Sequence, residues 1–99
     1  MKDIFRHFNP VFENRVRLAV MSILMVNDSI DFNTLKEILD LTDGNLASHI
    51  AMLEKNRYVS VTKRFLGKKP LTTYAATAAG RRAFAQHLDA LEHLIRQVP

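Results

Sequence analysis

Ninety-nine residues, 47% of them hydrophobic, are enough for one domain with one core and too few for a second domain with chemistry of its own. The chain has no cysteine, which excludes disulfides and thiolate metal ligands, and its longest strongly apolar stretch, Leu18 to Val26, falls far short of the roughly 20 residues that span a bilayer. The net charge of +4 is unevenly placed, because Lys55 to Leu88 holds eight basic residues and no acidic one, the electrostatic footprint expected for a polyanion partner.

Asn9-Pro10 offers a cap and a first-turn proline, after which Val16, Leu18, Ala19, Ile23, Leu24 and Val26 recur at helical spacing. They predict a helix within Val11 to Val26, with Arg15 and Arg17 towards its wet side. Asn27-Asp28-Ser29 is turn chemistry, and Ser29 to Phe32 alternates polar and apolar residues, as a short strand would before a helix starting at Asn33 or Thr34. Leu35, Ile38 and Leu39 mark that helix's apolar stripe. Asp40-Leu41-Thr42 interrupts it and places a capping hydroxyl before a further helix, about Asp43 to Lys55. There Leu46, Ile50 and Leu53 fall on one side at i, i+4 and i+7, leaving Asn45, Ser48, Met52 and Lys55 opposite. Tyr58 to Phe65 reads as a strand with Val59 and Val61 inward, Leu66 to Pro70 as a basic Gly/Pro turn, and Leu71 to Ala76 as the return strand. Thr77 can cap a last helix to about Gln97, in which Phe84, Leu88, Leu91, Ile95 and Val98 follow the 4-3-4-3 spacing of a coiled-coil seam.

Helix, short strand, helix, turn, helix, basic hairpin and long helix follow one another in the winged-helix order, a mainly α (α+β) fold. The stretch from Asp31-Phe32 through Leu53-Glu54, the Gly67 to Thr72 wing and the run Leu71-Thr72-Thr73-Tyr74-Ala75-Ala76-Thr77-Ala78-Ala79-Gly80-Arg81 resemble the winged helix-turn-helix regulators of the MarR and ArsR groups, short single-domain branch. This resemblance covers about 70 of the 99 residues. It implies one winged-helix domain over 1–99, with its core over about 11–76 and a C-terminal dimerisation helix over about 77–97. Two positions depart from the family pattern: Asn56-Arg57 stands where relatives often carry glycine, and Leu71 and Ala75 where basic residues are expected.

The site follows from these elements. A helix beginning at Thr42, Asp43 and Gly44 presents free N–H groups and the positive end of its dipole, suited to a phosphate. Gly44 lets the backbone approach a duplex, Asn45 and Ser48 carry donors and acceptors for base edges in the major groove, and His49 and Met52 flank them. Lys55, Lys63, Arg64, Lys68 and Lys69 make a cationic wing for phosphates or the minor groove. Ile4, Phe5 and Phe8 are expected to join Phe84, Leu88, Leu91 and Ile95 in a homodimer interface, as N-terminal segments do in the resembling family.

The expected function is therefore a cytoplasmic, homodimeric regulator that binds double-stranded DNA, without cofactor or membrane partner and with room for an unidentified small-molecule effector at the interface. ArsR regulators sometimes bind metals on the last helix, and here Asp89 and His93 share a face at i, i+4 with Glu92 beside them, so a metal-sensing ArsR-like regulator is an alternative; surface Asp/His pairs usually just interact with each other, and the leading expectation carries no metal site. Further alternatives are a winged helix that docks onto protein and an RNA binder, the second lacking an aromatic stacking platform. No constellation suggests an enzyme.

Overall fold

The first helix lies within the predicted span, Val11 to Val26, but it is not the one that Asn9 caps. In the computed structural model, which describes residues 3–97, Asn9 caps only a 3-10 turn, Pro10–Phe12, while Asn14 caps helix α1 (Arg15–Met25) by accepting the N–H groups of Val16 and Arg17. Phe12 accounts for the break. Its buried ring lies 5.1 Å from that of Phe84, edge-on, and 5.3 Å from that of Tyr58, nearly stacked, so the chain turns inward before α1 begins. Arg17 is not on a wet face either. It is half-buried, and its Nε donates to the Val11 carbonyl at 2.6 Å, bridging the 3-10 turn to α1.

Strand β1 (Ile30–Asp31) is two residues long, and the Asp31 carboxylate caps α2 (Phe32–Leu39) by accepting the Thr34 N–H at 3.1 Å. Leu35 is buried as expected, whereas Ile38 is exposed: α2 packs against α1, β1 and β3, and none of these covers its flank. Asp40 ends α2 in the left-handed region, and Thr42 Oγ1 accepts the Asn45 N–H at 3.2 Å to start α3 (Asp43–Lys55). Leu46, Ile50 and Leu53 of α3 enter the core beside Val20 and Leu24 of α1.

Strands β2 (Val59–Leu66) and β3 (Lys69–Ala76) pair antiparallel from Val59↔Ala76 to Leu66↔Lys69, and β1 adds to the other edge of β3, giving the order β1-β3-β2. The hairpin turn is tighter than the sequence suggests. It is Gly67-Lys68 alone, with Gly67 at φ 66°, and Pro70 lies within β3 opposite Phe65. Thr77 then caps α4 (Ala78–Arg96), its hydroxyl accepting the Gly80 N–H at 2.9 Å.

Helix α4 turns differently from the expected seam. Gly80, Phe84, His87 and Ala90 face the chain's own core, so Phe84, placed on the dimer interface by spacing alone, is only 2% exposed and belongs to the ring cluster around Phe12. Leu88 and Ile95 stay exposed and Leu91 half-exposed. Val98 and the side chain of Ile4 lie outside the described residues. Before Asn9, a 3-10 turn, Ile4–His7, packs on α4 and carries an exposed Phe5, while the half-buried Phe8 ring meets His87.

Candidate nucleic-acid interface

Two elements project away from the core on which they are built. The outer face of α3 carries Thr42, Asp43, Gly44, Asn45, Ser48, Met52 and Lys55, all exposed. The first N–H groups of a helix have no partner within it; the Thr42 hydroxyl satisfies that of Asn45 and leaves the turn's positive end open. A Cβ added to Gly44 would meet nothing within 4 Å, so the fold itself does not demand glycine there. Asp43 would oppose an anion, but Lys36 Nζ of α2 reaches its carboxylate at 2.8 Å and offsets that charge. Ser48 donates to the Asn45 carbonyl at 3.0 Å, keeping its oxygen on the outer face as an acceptor.

His49, on the flank of this face, is held from below. The Arg17 guanidinium lies 2.9 Å from His49 Nδ1, and since guanidinium has no acceptor, Nδ1 must accept. The proton of the neutral ring is therefore on Nε2. Burial, and then the charge of Arg17, hold the His49 pKa below its ordinary value of 6.5. Sequence spacing assigned Arg17 to solvent and so missed this pair; a cation 32 positions from a histidine leaves no local signal.

The β2–β3 hairpin is the second element. Lys63, Arg64, Lys68 and Lys69 are all exposed along it, with no carboxylate among them. The basic segment is not uniformly available, however. Arg81 is half-buried, and its guanidinium donates to the Leu24 and Met25 carbonyls at 3.3 and 3.2 Å, serving the C-terminal end of α1. Arg57 adopts a left-handed conformation, φ 61°, where Asn56 would have been the less strained choice. Its carbonyl accepts the Thr77 hydroxyl at 2.7 Å, and the Thr77 N–H donates to the Tyr58 carbonyl at 3.0 Å, so the bend ties the base of the wing to α4.

Away from this surface, a cleft of about 880 Å³ opens between the Ile4–His7 turn and α4, lined among others by Arg6, His7, Gln86, Asp89 and His93. Glu92, expected beside Asp89 and His93, instead pairs with Arg96 at 2.6 Å, and among the described residues no three His, Asp or Glu side chains converge as metal ligands. His87 was not a candidate from sequence. It is 4% exposed, and its Nδ1 accepts the Asn9 N–H at 3.0 Å, which fastens the N-terminal segment to α4. No helix among the described residues is long and apolar enough to cross a membrane.

Residues 16–95 match the winged helix DNA-binding domain family, a span that takes in the helix-turn-helix, the hairpin and nearly all of α4. The chain belongs to that family. An uncharacterized protein of Methanocaldococcus jannaschii is 32% identical over 88 residues, 89% of this winged-helix chain and 96% of its own. The structure of a transcriptional regulator homologue from Pyrococcus horikoshii superposes with a TM-score of 0.86 at 32% identity, covering 98% of this chain and 94% of that one. A putative MarR-family regulator of Enterococcus faecalis shares the fold, with a TM-score of 0.72 at 22% identity over 89% of this chain and 78% of that one. The winged-helix architecture expected from the order of elements is thus the observed one, and it is that of MarR-type regulators.

Proposed function

We propose that this winged-helix protein is a transcriptional regulator that binds duplex DNA as a homodimer, with α3 in the major groove and the hairpin on the backbone or minor groove. The observation that carries this reading is the joint exposure of the α3 outer face, whose opposite face is committed to the core, and of the hairpin cations, on a ribbon that extends past the core from its buried base at Val59 and Tyr74. Asn45 and Ser48 read base edges, and His49 donates from Nε2 to a phosphate or base. Lys55, Lys63, Arg64, Lys68 and Lys69 neutralise phosphates.

One such module reads only a few base pairs, whereas two related by a twofold axis address half-sites about 34 Å apart. Exposed Leu88 and Ile95, half-exposed Leu91 and the neighbouring Phe5 and Phe8 supply an apolar seam for the twofold contact. A small molecule bound in the cleft beside the Ile4–His7 turn, which Phe8 helps to line, would act on DNA affinity through the packing of that turn on α4. The experiment is selection of bound sequences from a random duplex library, then a salt titration and a stoichiometry of the selected duplex. An inverted repeat bound by two chains, with affinity falling steeply in salt, is the expected result. Lack of enrichment together with salt-independent binding would instead favour a protein-docking winged helix.

A further inference from the structure

The hairpin tip carries a feature that phosphate binding does not need. Phe65 and Leu66, the last residues of β2, are 73% and 72% exposed, although each is a large apolar side chain. Their register puts them on opposite faces of the ribbon. Phe65 shares a face with its partner Pro70, and Leu66, whose own partner is Lys69, shares the other with Leu71, which stands opposite Arg64. The tip therefore presents a large apolar side chain on each face, Phe65 on one and Leu66 on the other, is closed by the two-residue Gly67-Lys68 turn, and is flanked by Lys63, Arg64, Lys68 and Lys69, of which Arg64 and Lys69 share the Leu66 face.

We propose that the wing tip is an apolar wedge that enters the minor groove and unstacks a base step of the duplex. This deepens, and rests on, the DNA-binding reading above. An unstacked step offers two parallel base faces, so an inserted group meets apolar surface above and below. Apolar residues on both sides of a narrow ribbon fit that geometry. The minor groove, about 6 Å wide in B-DNA, admits such a tip only when it is opened, and side chains of the Phe and Leu type open it by kinking the helix towards the major groove. The surrounding cations suit the negative potential of the groove and its phosphates. They disfavour a second copy's tip as the occupant, since four cations would face four. An anionic lipid surface is a poorer match, because a segment lying in a membrane interface presents its apolar residues on one face.

The test uses the full chain and its library-selected duplex, carrying 2-aminopurine at successive positions through and beside each half-site, with donor and acceptor dyes at the ends. Anisotropy reports binding, 2-aminopurine emission reports unstacking, and energy transfer reports the bend. The expected result is a severalfold rise in emission at one step per half-site together with a bent duplex. The Phe65→Ser, Leu66→Ser double variant should still bind with the wild-type salt dependence, because every cation remains, but should lose both signals. Phe65→Trp should keep them. Both variants change exposed residues, and circular dichroism checks that they fold. Binding without any rise in emission, or a double variant that retains rise and bend, overturns the wedge and leaves the DNA-binding reading intact. A double variant that loses self-association in light scattering, with unstacking unchanged, assigns the tip to contacts between copies and also overturns it. Failure of the wild type to bind any duplex removes both readings together.

Discussion

Gly80 sits in the first turn of α4 where there is no room for a side chain. A Cβ built there would lie 2.1 Å from the Tyr58 carbonyl oxygen and within 2.9 Å of two further backbone atoms of Tyr58. Backbone cannot swing aside as a long side chain can, so in Gly80→Ala the start of α4 must lift from the base of the wing. Alanine gains about 1 kcal/mol of intrinsic helix propensity over glycine. Against this stand overpacking, about 1–3 kcal/mol, and the weakening of the Thr77 bonds to Arg57 and Tyr58, about 1 kcal/mol each. The net expectation is a loss of about 2–4 kcal/mol, or a fall in Tm of at least about 10 °C for a chain of this size. Urea and thermal unfolding at matched protein concentration measure it, the matching being needed because the proposed dimerisation would make apparent stability depend on concentration. An alanine variant as stable as the parent, or more so, would refute the reasoning, since propensity would then have won over the contact.

The proposed interface makes further expectations measurable. Asn45→Ala should cost about 1–3 kcal/mol on the selected duplex and little on unrelated ones, whereas Lys68→Ala with Lys69→Ala should weaken all duplexes and reduce the slope of log K against log salt by about 2; equal losses on every sequence for Asn45→Ala would remove it from base readout. His49 has its pKa depressed in the folded state, so the unfolded chain binds more protons in acid. Its contribution to stability is complete above 6.5 and is lost as pH falls from there through the folded value. An NMR titration should put the His49 midpoint below 6.5 with the proton on Nε2, and Arg17→Met should move the midpoint upward by removing the charge; an unchanged midpoint would mean that burial alone sets it. Leu88→Glu with Ile95→Glu should convert a dimer to monomer in light scattering and lose inverted-repeat binding, while circular dichroism stays that of the parent because both side chains are exposed.

Local chemistry was legible in the sequence, and contacts across the chain were not. The capping hydroxyls of Thr42 and Thr77, the buried face Leu46, Ile50 and Leu53, and the alternation of Val59 and Ser60 each depend on neighbours a few residues away, and each appears where spacing puts it. What spacing missed was decided at long range. Asn9 caps a 3-10 turn and not α1 because Tyr58 and Phe84 receive the Phe12 ring, and Phe84 leaves the seam for the same reason. A heptad pattern cannot tell a stripe that faces its own core from one left exposed; on α4 Phe84, His87 and Ala90 face inward, and Leu88 and Ile95 outward. The cations divided similarly: Lys68 and Lys69 are free at the turn, whereas Arg17 and Arg81 are taken up by carbonyls and by His49. For the candidate site, the positions of the α3 face and the wing were readable, but Phe65 and Leu66 looked like ordinary strand and turn residues until the register set them beyond the body of the domain.

The long-range contacts missed by spacing are also those that join the proposed seam to the proposed DNA-reading surface. At its start α4 is seated on Tyr58 through Gly80, bonded through Thr77 to the base of the wing, and anchored by Arg81 to the end of α1. Further along, His87 holds Asn9, whose side-chain amide also donates to the Tyr58 hydroxyl at 3.0 Å. The exposed seam residues lie towards the other end of a 19-residue helix, about 28 Å long at 1.5 Å per residue. A tilt of only about 10° at the Gly80 seat would displace that far end, about 24 Å away, by about 4 Å, more than one base-pair step of about 3.4 Å. If the seam fixes one copy against the other, the same tilt instead moves the two recognition helices relative to their half-sites. Gly80→Ala, assayed on inverted repeats of altered spacing, should therefore shift the preferred spacing as well as lower stability. A mutation 35 positions from Asn45 would then change which operators are bound without touching DNA.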